Sequence, residues 1–506
     1  MRTQNSIKNI ITVIIPYFLI GILGFIKSRV FVTSFSDDIY SLNQLFFQIL
    51  GYFSLAEAGF ETFIMQKYYK AFSNNDKEEV NRIFSTSVLH FRYIGMGMLA
   101  VGTIVMFFVH LFTKAQVDGN YLKLIFIVFV IKNSVEYFLM CPRIVINSDQ
   151  KAFKTNLYVN VCRIVENLSD IILALLGTDY LILLIPGIGI RIIFNLIINK
   201  KVYKEYPWLC RTGHKYHYEY VKGMSNLIYQ RIAGILNSNT DIILISTFVD
   251  PVSVIVYTSY NYITKFINDT LCVMANSLTP SFASAFNEGD TKKSFQIFDQ
   301  MSAAFFFMAS FFATVLFLVF DPFVALWMGE KYVINRVGLI LMVFVMFDQV
   351  NRRMMAIAVN ALGLYYETKK CVIAEAVVNF LLSIILVQFM GLNGALIGTA
   401  LAVFTTSGWY TPYYIYRKVF DKSTFIFVKD YMFSLTCAIV LALIQKTLLP
   451  LRMDSFLSWI LSSGLYSAIS GIVLFVAFYT ISLSFRGMVG RLFIYIKTFV
   501  HRKDNL

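Results

Sequence analysis

Charge is scarce in this chain. Only 15% of its 506 residues are Asp, Glu, Lys or Arg, where about 25% is usual for a globular protein. Cysteine is scarce as well: Cys141, Cys162, Cys210, Cys272, Cys371 and Cys437 stand far apart and form no CxxC pair. That spacing excludes a zinc ribbon or a thioredoxin-like redox motif. Most of these cysteines lie in apolar runs, where the thiol behaves as a small hydrophobe. With 26 Gly and 6 Cys the chain is neither collagen-like nor a disulfide scaffold. No H-E-x-x-H, G-x-S-x-G, Walker loop or G-x-G-x-x-G stands in a supporting context. Neither an enzyme nor an ATP-driven machine is indicated, and no cofactor is expected.

Apolar and aromatic residues dominate instead. The hydrophobic fraction is 57%, with 49 Phe, 30 Tyr and a mean hydropathy of +0.65. Disordered chains are poor in aromatics and rich in charge, so disorder is excluded. These values describe an all-α, polytopic membrane protein. A hydrocarbon core ~30 Å thick needs ~20 apolar residues per helix, and fourteen helices would take roughly 280. Spans are expected near 9–32, 39–65, 84–112, 121–146, 153–176, 180–199, 224–248, 252–279, 297–320, 333–360, 366–389, 393–416, 427–448 and 457–484. The first stretch is long enough to span and lacks an A-x-A-type cleavage site, so it reads as a retained helix.

The net charge of +14 is explained by orientation rather than by nucleic acid. With the N-terminus inside, alternate loops and the tail hold about 28 Lys and Arg, and the opposite loops about six, as the positive-inside rule requires. Both termini are then cytoplasmic. No outer loop exceeds about 16 residues, a length suited to a connection rather than a hidden domain. The tail, with Arg486, Arg491, Lys497, Arg502 and Lys503 between Phe and Tyr, reads as an interfacial helix on anionic lipid.

An internal repeat is present. Phe72, Asp76, Ile83 and Phe84 recur at a constant offset as Phe286, Asp290, Ile297 and Phe298. The same offset brings Ser36-Asp37-Asp38 onto Asp250-Pro251-Val252. Two six-helix halves in the same orientation give a parallel-repeat transporter architecture. The expected organisation is an N-lobe at 1–212, a C-lobe at 213–420, two further helices at 421–485 and a basic tail at 486–506.

Several segments resemble one known family. They are Tyr40 to Gly59 with its Tyr68-Tyr69-Lys70 exit, Asn239 to Ser246 followed by Tyr257-Thr258-Ser259-Tyr260, Ser277 to Ser281, and Phe323 to Gly329. They look like the polysaccharide transporter (Wzx-type O-antigen or capsule flippase) branch of the multidrug/oligosaccharidyl-lipid/polysaccharide exporter superfamily. Order and spacing match across helices 1 to 10. The resemblance implies two six-helix lobes around a central cavity lined by helices 1, 2, 7 and 8. It also implies alternating-access flipping of an undecaprenyl-diphosphate-linked oligosaccharide in a bacterial inner membrane, for surface polysaccharide such as O-antigen of lipopolysaccharide. Helices 13 and 14 would form a peripheral, lipid-facing pair. Other polysaccharide assembly proteins are expected partners. One departure is Ser36-Asp37-Asp38, where the family commonly has Gly.

Ionisable groups at bilayer depth cost roughly 2.5–3.5 kcal/mol each and usually face a cavity or a partner. Lys27 and Arg29 lie toward the outer end of helix 1, Arg231 in helix 7 and Lys265 in helix 8. A lipid diphosphate suits guanidinium and ammonium groups, so these four are the candidate cationic patch. The alternative for Lys27 and Arg29 is snorkelling to headgroups. Among the acids, Glu57 and Asp269 are candidates for H⁺ or Na⁺ coupling. Glu57 would share a helix face with Glu61, and Asp269 stands one turn after Lys265. The weightier expectation is that most intramembrane acids pair with nearby Lys or Arg. Arg352 and Arg353 are expected to pair with Asp348 or Glu375. Gly95-Met96-Gly97 reads as a helix-packing site. A lipid II flippase and a multidrug cation antiporter, the latter with twelve helices and an acidic cavity, are the nearest rivals. A glycan polymerase would need a large outer loop.

Overall fold

The computed structural model describes residues 2–53, 57, 59–213, 215–221, 240–491 and 493, with side chains described from residue 16 onward except at 277, 280 and 281. It is helical throughout, with no strand among the described residues. The chain divides into two compact units, 1–255 and 256–506.

The first unit contains α1 (Arg2–Ser34), α2 (Asp37–Phe53), α3 (Phe60–Ser73), α4 (Lys77–Phe108), α5 (Gly119–Leu139), α6 (Cys141–Ser148), α7 (Phe153–Leu175) and α8 (Tyr180–Glu205). Residues 240–248 are also helical. Helix α9 (Pro251–Asn287) carries the chain across the division. The second unit holds α10 (Thr291–Trp327), α11 (Arg336–Asn351), α12 (Arg353–Leu362), α13 (Tyr365–Met390), α14 (Leu392–Thr405), α15 (Ser407–Tyr413), α16 (Phe425–Leu448) and α17 (Phe456–Ile481). A π-helical stretch, Tyr414–Val419, follows α15.

Local chemistry sets these boundaries. Asp118 caps α5 and Asp179 caps α8, each accepting from backbone N–H groups that the helix leaves unpaired. The repeat is visible in the same detail. Asp76 caps α4 at φ −85°, ψ 91° and accepts from Glu79 N at 2.8 Å. Its counterpart Asp290 caps α10 at φ −85°, ψ 90° and accepts from Lys293 N at 3.0 Å. Phe84 and Phe298, one repeat apart, are both fully buried.

Several expected spans are broken helices. The second is divided between α2 and α3, where Gly59 takes a left-handed conformation open to glycine at little cost. The fourth bends by 50° between α5 and α6, at Pro142, which cannot continue the hydrogen-bond ladder. Among the described residues seven helices are long and apolar enough to cross a membrane, or eight with the α5–α6 pair. Helix α7 falls outside that set because Arg163, Glu166 and Asp170 lie on it.

In the first unit α1 packs on α7, α4 on α5, and α8 on both α5 and α7. Phe46 of α2 meets Phe126 and Phe129 of α5 edge-on, and Tyr180 Oη donates to Asn43 Oδ1 at 2.8 Å. Gly102 lets α4 approach α5: a Cβ there would stand 2.4 Å from Val130. Gly95 lies under the Phe138 ring in the same way, whereas Gly97 has no neighbour within 4 Å. So only the first glycine of Gly95-Met96-Gly97 serves packing.

In the second unit α10 is the central helix, packed on α11, α16 and α17. Ser310 and Ser434 pair across α10 and α16 at 2.8 Å, and Trp459 Nε1 donates to Val319 O, tying α17 to α10. Much of α17, including Phe456, Leu457, Ile460, Leu461 and Ile472, is exposed apolar surface. Such a face suits a helix against lipid. Helices α13 and α14 form a tight hairpin in which Gly394 lies against the Leu386 backbone.

Candidate functional site

Charged side chains of the first unit gather where α1, α5, α7 and α8 pack. Lys27 of α1 reaches Asp170 of α7 at 2.5 Å, and Asn167 Oδ1 lies 3.4 Å from the same ammonium. The Asp170 side chain is almost wholly buried, so the pair joins α1 to α7 out of water. One layer away, Glu166 of α7 is held from two sides. Lys132 of α5 meets its Oε1 at 2.7 Å. Arg191 of α8 grips both oxygens, Nε to Oε2 and Nη2 to Oε1, each at 3.1 Å. This planar fork matches the carboxylate bidentately. Arg191 Nη1 also donates to Asn133 Oδ1 at 3.3 Å. Gly187, one turn before Arg191, makes room for the lysine: a Cβ there would stand 2.6 Å from Lys132 Nζ.

At the bend between α5 and α6, Arg143 meets Glu136 at 3.0 Å. Beside it lies a cavity of about 190 Å³ lined by Asn133, Glu136, Arg143, Arg163, Glu166 and Arg191, among others. Irregular backbone at membrane depth is tolerated where it lines such a cavity. Counting the groups just named, five cations (Lys27, Lys132, Arg143, Arg163, Arg191) face three carboxylates (Glu136, Glu166, Asp170).

The second unit has its own network. Arg352 pairs with Asp348 at 2.7 Å and donates to Ser407 Oγ at 2.8 Å. Ser407 in turn donates to Glu375, and Tyr431 donates to the other Asp348 oxygen at 3.2 Å. Arg353 instead donates to Asn268, whose amide donates to Gln349 at 2.7 Å. The pairing expected of Arg352 is present, with Glu375 joined through a serine; Arg353 uses an amide.

The segment after α8 is strapped along α4. Asn81 donates to Trp208 O at 3.1 Å and accepts from Cys210 N at 2.8 Å. His217 N donates to Thr86 Oγ1, and Tyr220 Oη donates to Glu79 at 2.7 Å. Burial, and then the bond to Glu79, raises the Tyr220 phenol above its ordinary value. Burial and the bond to Asp149 do the same for Tyr206.

Of the six residues singled out from sequence, Lys27 is the one placed in these networks. Arg29 is exposed on α1. Lys265 and Asp269 are both exposed on α9, and no ion pair joins them. Glu57 lies in the break between α2 and α3, so it shares no continuous helix face with Glu61; Tyr137 Oη stands 3.5 Å from its carboxylate. Arg231 lies outside the described residues. Asp170, Lys132 and Arg191 are the residues that sequence reasoning did not assemble. Their signal was charge at membrane depth, but their partners lie on other helices.

These features define a bundle of long apolar helices with a charge network inside each unit. No protein-family model matches the chain, and no curated protein matches it. Solved structures do. The chain is similar to a lipid II flippase, MurJ, in an inward closed conformation: 16% identity, TM-score 0.67, over 92% of this chain and 98% of that one. It is also similar to an inward-facing multidrug resistance MATE transporter of the MOP superfamily, at 14% identity and TM-score 0.55, over 83% and 95%. A MOP superfamily transporter from Pyrococcus furiosus matches at 12% identity and TM-score 0.54, over 85% and 95%. The chain thus has the fold of MOP-superfamily membrane transporters.

Proposed function

We propose that this protein is a flippase that moves an undecaprenyl-diphosphate-linked oligosaccharide across a bacterial plasma membrane by alternating access, for surface polysaccharide synthesis. The observation that carries the reading is the extent of the fold match. The lipid II flippase aligns over 92% of this chain and the MATE transporter over 83%. The difference is about 46 residues, enough for two spanning helices at ~20 residues each. That favours a fourteen-helix lipid flippase over a twelve-helix drug antiporter. Arg143, Arg163 and Arg191 around the cavity beside α5 and α6 favour an anionic cargo in the same direction.

Arg29, Lys265 and Arg231 are the cations proposed to meet the diphosphate, and Glu57 and Asp269 remain the proposed H⁺ or Na⁺ coupling groups. Lys27 is proposed to act through Asp170, as a positioning residue on α1. The test is deletion of the gene in its host, following surface glycan and the leaflet in which its lipid-linked precursor accumulates. Loss of glycan with precursor on the cytoplasmic face is expected. Intact glycan with raised drug sensitivity would overturn the reading. In a complemented strain, a triple Ala variant at Arg29, Arg231 and Lys265 should express normally and lose export; full export would refute their role.

The similarity to MurJ favours lipid II as a second cargo reading. Rescue of a strain depleted of its lipid II flippase would establish it, and failure to rescue would leave the surface-glycan reading in place.

A further inference from the structure

The second unit carries a groove of about 270 Å³ between α10, α11 and α16, and every residue lining it is apolar. Small side chains leave the space. Ala313 of α10 and Ala438 and Ala442 of α16 line it where the two helices lie side by side, pinned by Thr314 Oγ1 donating to Ala438 O at 3.3 Å. These alanines are buried, whereas Ile340 of α11 and Ile439 and Leu443 of α16 are about half exposed, so the groove opens outward. It follows α16 from Leu435 to Leu443, about 12 Å at 1.5 Å per residue. That length lies within one leaflet of a hydrocarbon core ~30 Å thick.

One end of the groove is cationic. The Arg336 guanidinium lies 5.4 Å, and the Lys446 ammonium 5.2 Å, from the centroid of the same lining ring, Phe317. The two arrive from different helices, Arg336 one turn before Ile340 on α11 and Lys446 one turn beyond Ala442 on α16. Among the described residues no ion pair reaches either of them. Asp321, one turn beyond Phe317, accepts from Tyr260 Oη at 2.5 Å instead. Arg336 is also the first residue of α11, the end of a helix that favours anions over cations. Trp327 closes α10, and Trp459 of α17 lies against Phe323 at 4.7 Å. Aromatic rings of this kind sit at headgroup depth.

A hydrocarbon chain suits the apolar part of such a groove. A phosphate suits its end, taking paired hydrogen bonds from guanidinium and point-charge attraction from ammonium. A zwitterionic headgroup offsets that attraction with its own cation, and an anionic one does not. We propose that the groove between α10, α11 and α16 binds an anionic phospholipid of the surrounding bilayer, with an acyl chain along α16 and the phosphate held by Arg336 and Lys446. This lipid is a resident of the protein rather than its cargo, so the site does not depend on which cargo is carried.

The experiment is native mass spectrometry of the purified full chain in detergent, titrated with dioleoyl phosphatidylglycerol or dioleoyl phosphatidylcholine. The two lipids share their chains and differ in headgroup charge. The first phosphatidylglycerol should bind about tenfold more tightly than the first phosphatidylcholine, as two basic side chains near the headgroup predict. Arg336→Gln with Lys446→Gln should abolish that preference. Both side chains are exposed, so the double variant should melt as the wild type does. Phosphatidylglycerol bearing a diazirine on its acyl chain should crosslink to residues 340–347 and 435–443 of the wild type, and less in the double variant. The proposal is overturned if the two lipids bind alike, if the double variant keeps the preference, or if the crosslinks spread evenly over the exposed face of α17. It is equally overturned if a polyprenyl phosphate displaces phosphatidylglycerol at equal concentration, or if a second copy of the chain covers the groove and excludes lipid.

Discussion

Glu166→Gln tests whether the buried charges of the first unit hold it together. Glu166 has two cationic partners, at 2.7 and 3.1 Å, and its side chain is 12% exposed. At an effective dielectric near 20, a pair with charges about 4 Å apart gains about 4 kcal/mol, so the two pairs are worth about 8 kcal/mol before desolvation. Desolvation of three ions offsets much of that gain. Removing only the carboxylate recovers little of the offset, because Lys132 and Arg191 stay buried and now repel one another. The expected loss is about 3–5 kcal/mol of unfolding free energy. Replacing all three residues together, Lys132→Met, Glu166→Leu and Arg191→Met, should cost less than the single change, since buried ion networks and apolar replacements of like volume are often nearly equivalent. The assay is SDS-induced unfolding in mixed micelles followed by circular dichroism. A Glu166→Gln variant within about 0.5 kcal/mol of wild type, the range of ordinary surface substitutions, would refute the reasoning and mean that water already screens the triad.

Two further outcomes follow from local geometry. At Gly394 a Cβ would stand 2.2 Å from the Leu386 carbonyl oxygen, and backbone cannot step aside as a side chain can. Gly394→Ala should therefore lose at least about 1–3 kcal/mol, read as a lower melting temperature and a smaller monodisperse peak on size exclusion; an unchanged melt would show that the α13–α14 hairpin is looser than described. The phenols of Tyr206 and Tyr220 are raised in the folded state above their ordinary value of 10. Folding then favours the protonated form, so their contribution is complete below pH 10 and is lost as pH rises beyond it. Tyr206→Phe with Tyr220→Phe should flatten the alkaline decline in melting temperature, and an identical decline in the double variant would count against the strap along α4.

Much of the fold was legible because its signals are local. Apolar runs mark the helices, and Asp76 and Asp290 announce the repeat through the same capping bond. The breaks were harder to read. Ser54, Glu57 and Gly59 stand between apolar residues on either side, and only the backbone shows that Gly59 turns there, which removes Glu57 from the face it was expected to share with Glu61. The site was legible in composition but not in pairing. Arg352 and Asp348 are four residues apart on one helix register and could be matched by spacing. Lys27 and Asp170 are 143 residues apart, and Lys132, Glu166 and Arg191 come from three helices. Their pairing depends on how α1, α5, α7 and α8 are rotated about their own axes, which the apolar pattern of an all-round hydrophobic helix does not specify.

The Lys27–Asp170 pair also bears on how the chain is made. Lys27 leaves the ribosome in the first helix, while its partner is 143 residues behind. At 5–20 residues per second that is roughly 7–30 s of synthesis. Throughout that interval α1 carries an uncompensated ammonium and lacks the surface of α7 on which it comes to rest. Until α7 is made, Lys27 has to carry the cost of roughly 2.5–3.5 kcal/mol or reach toward the headgroups, and pairing with Asp170 then removes that burden.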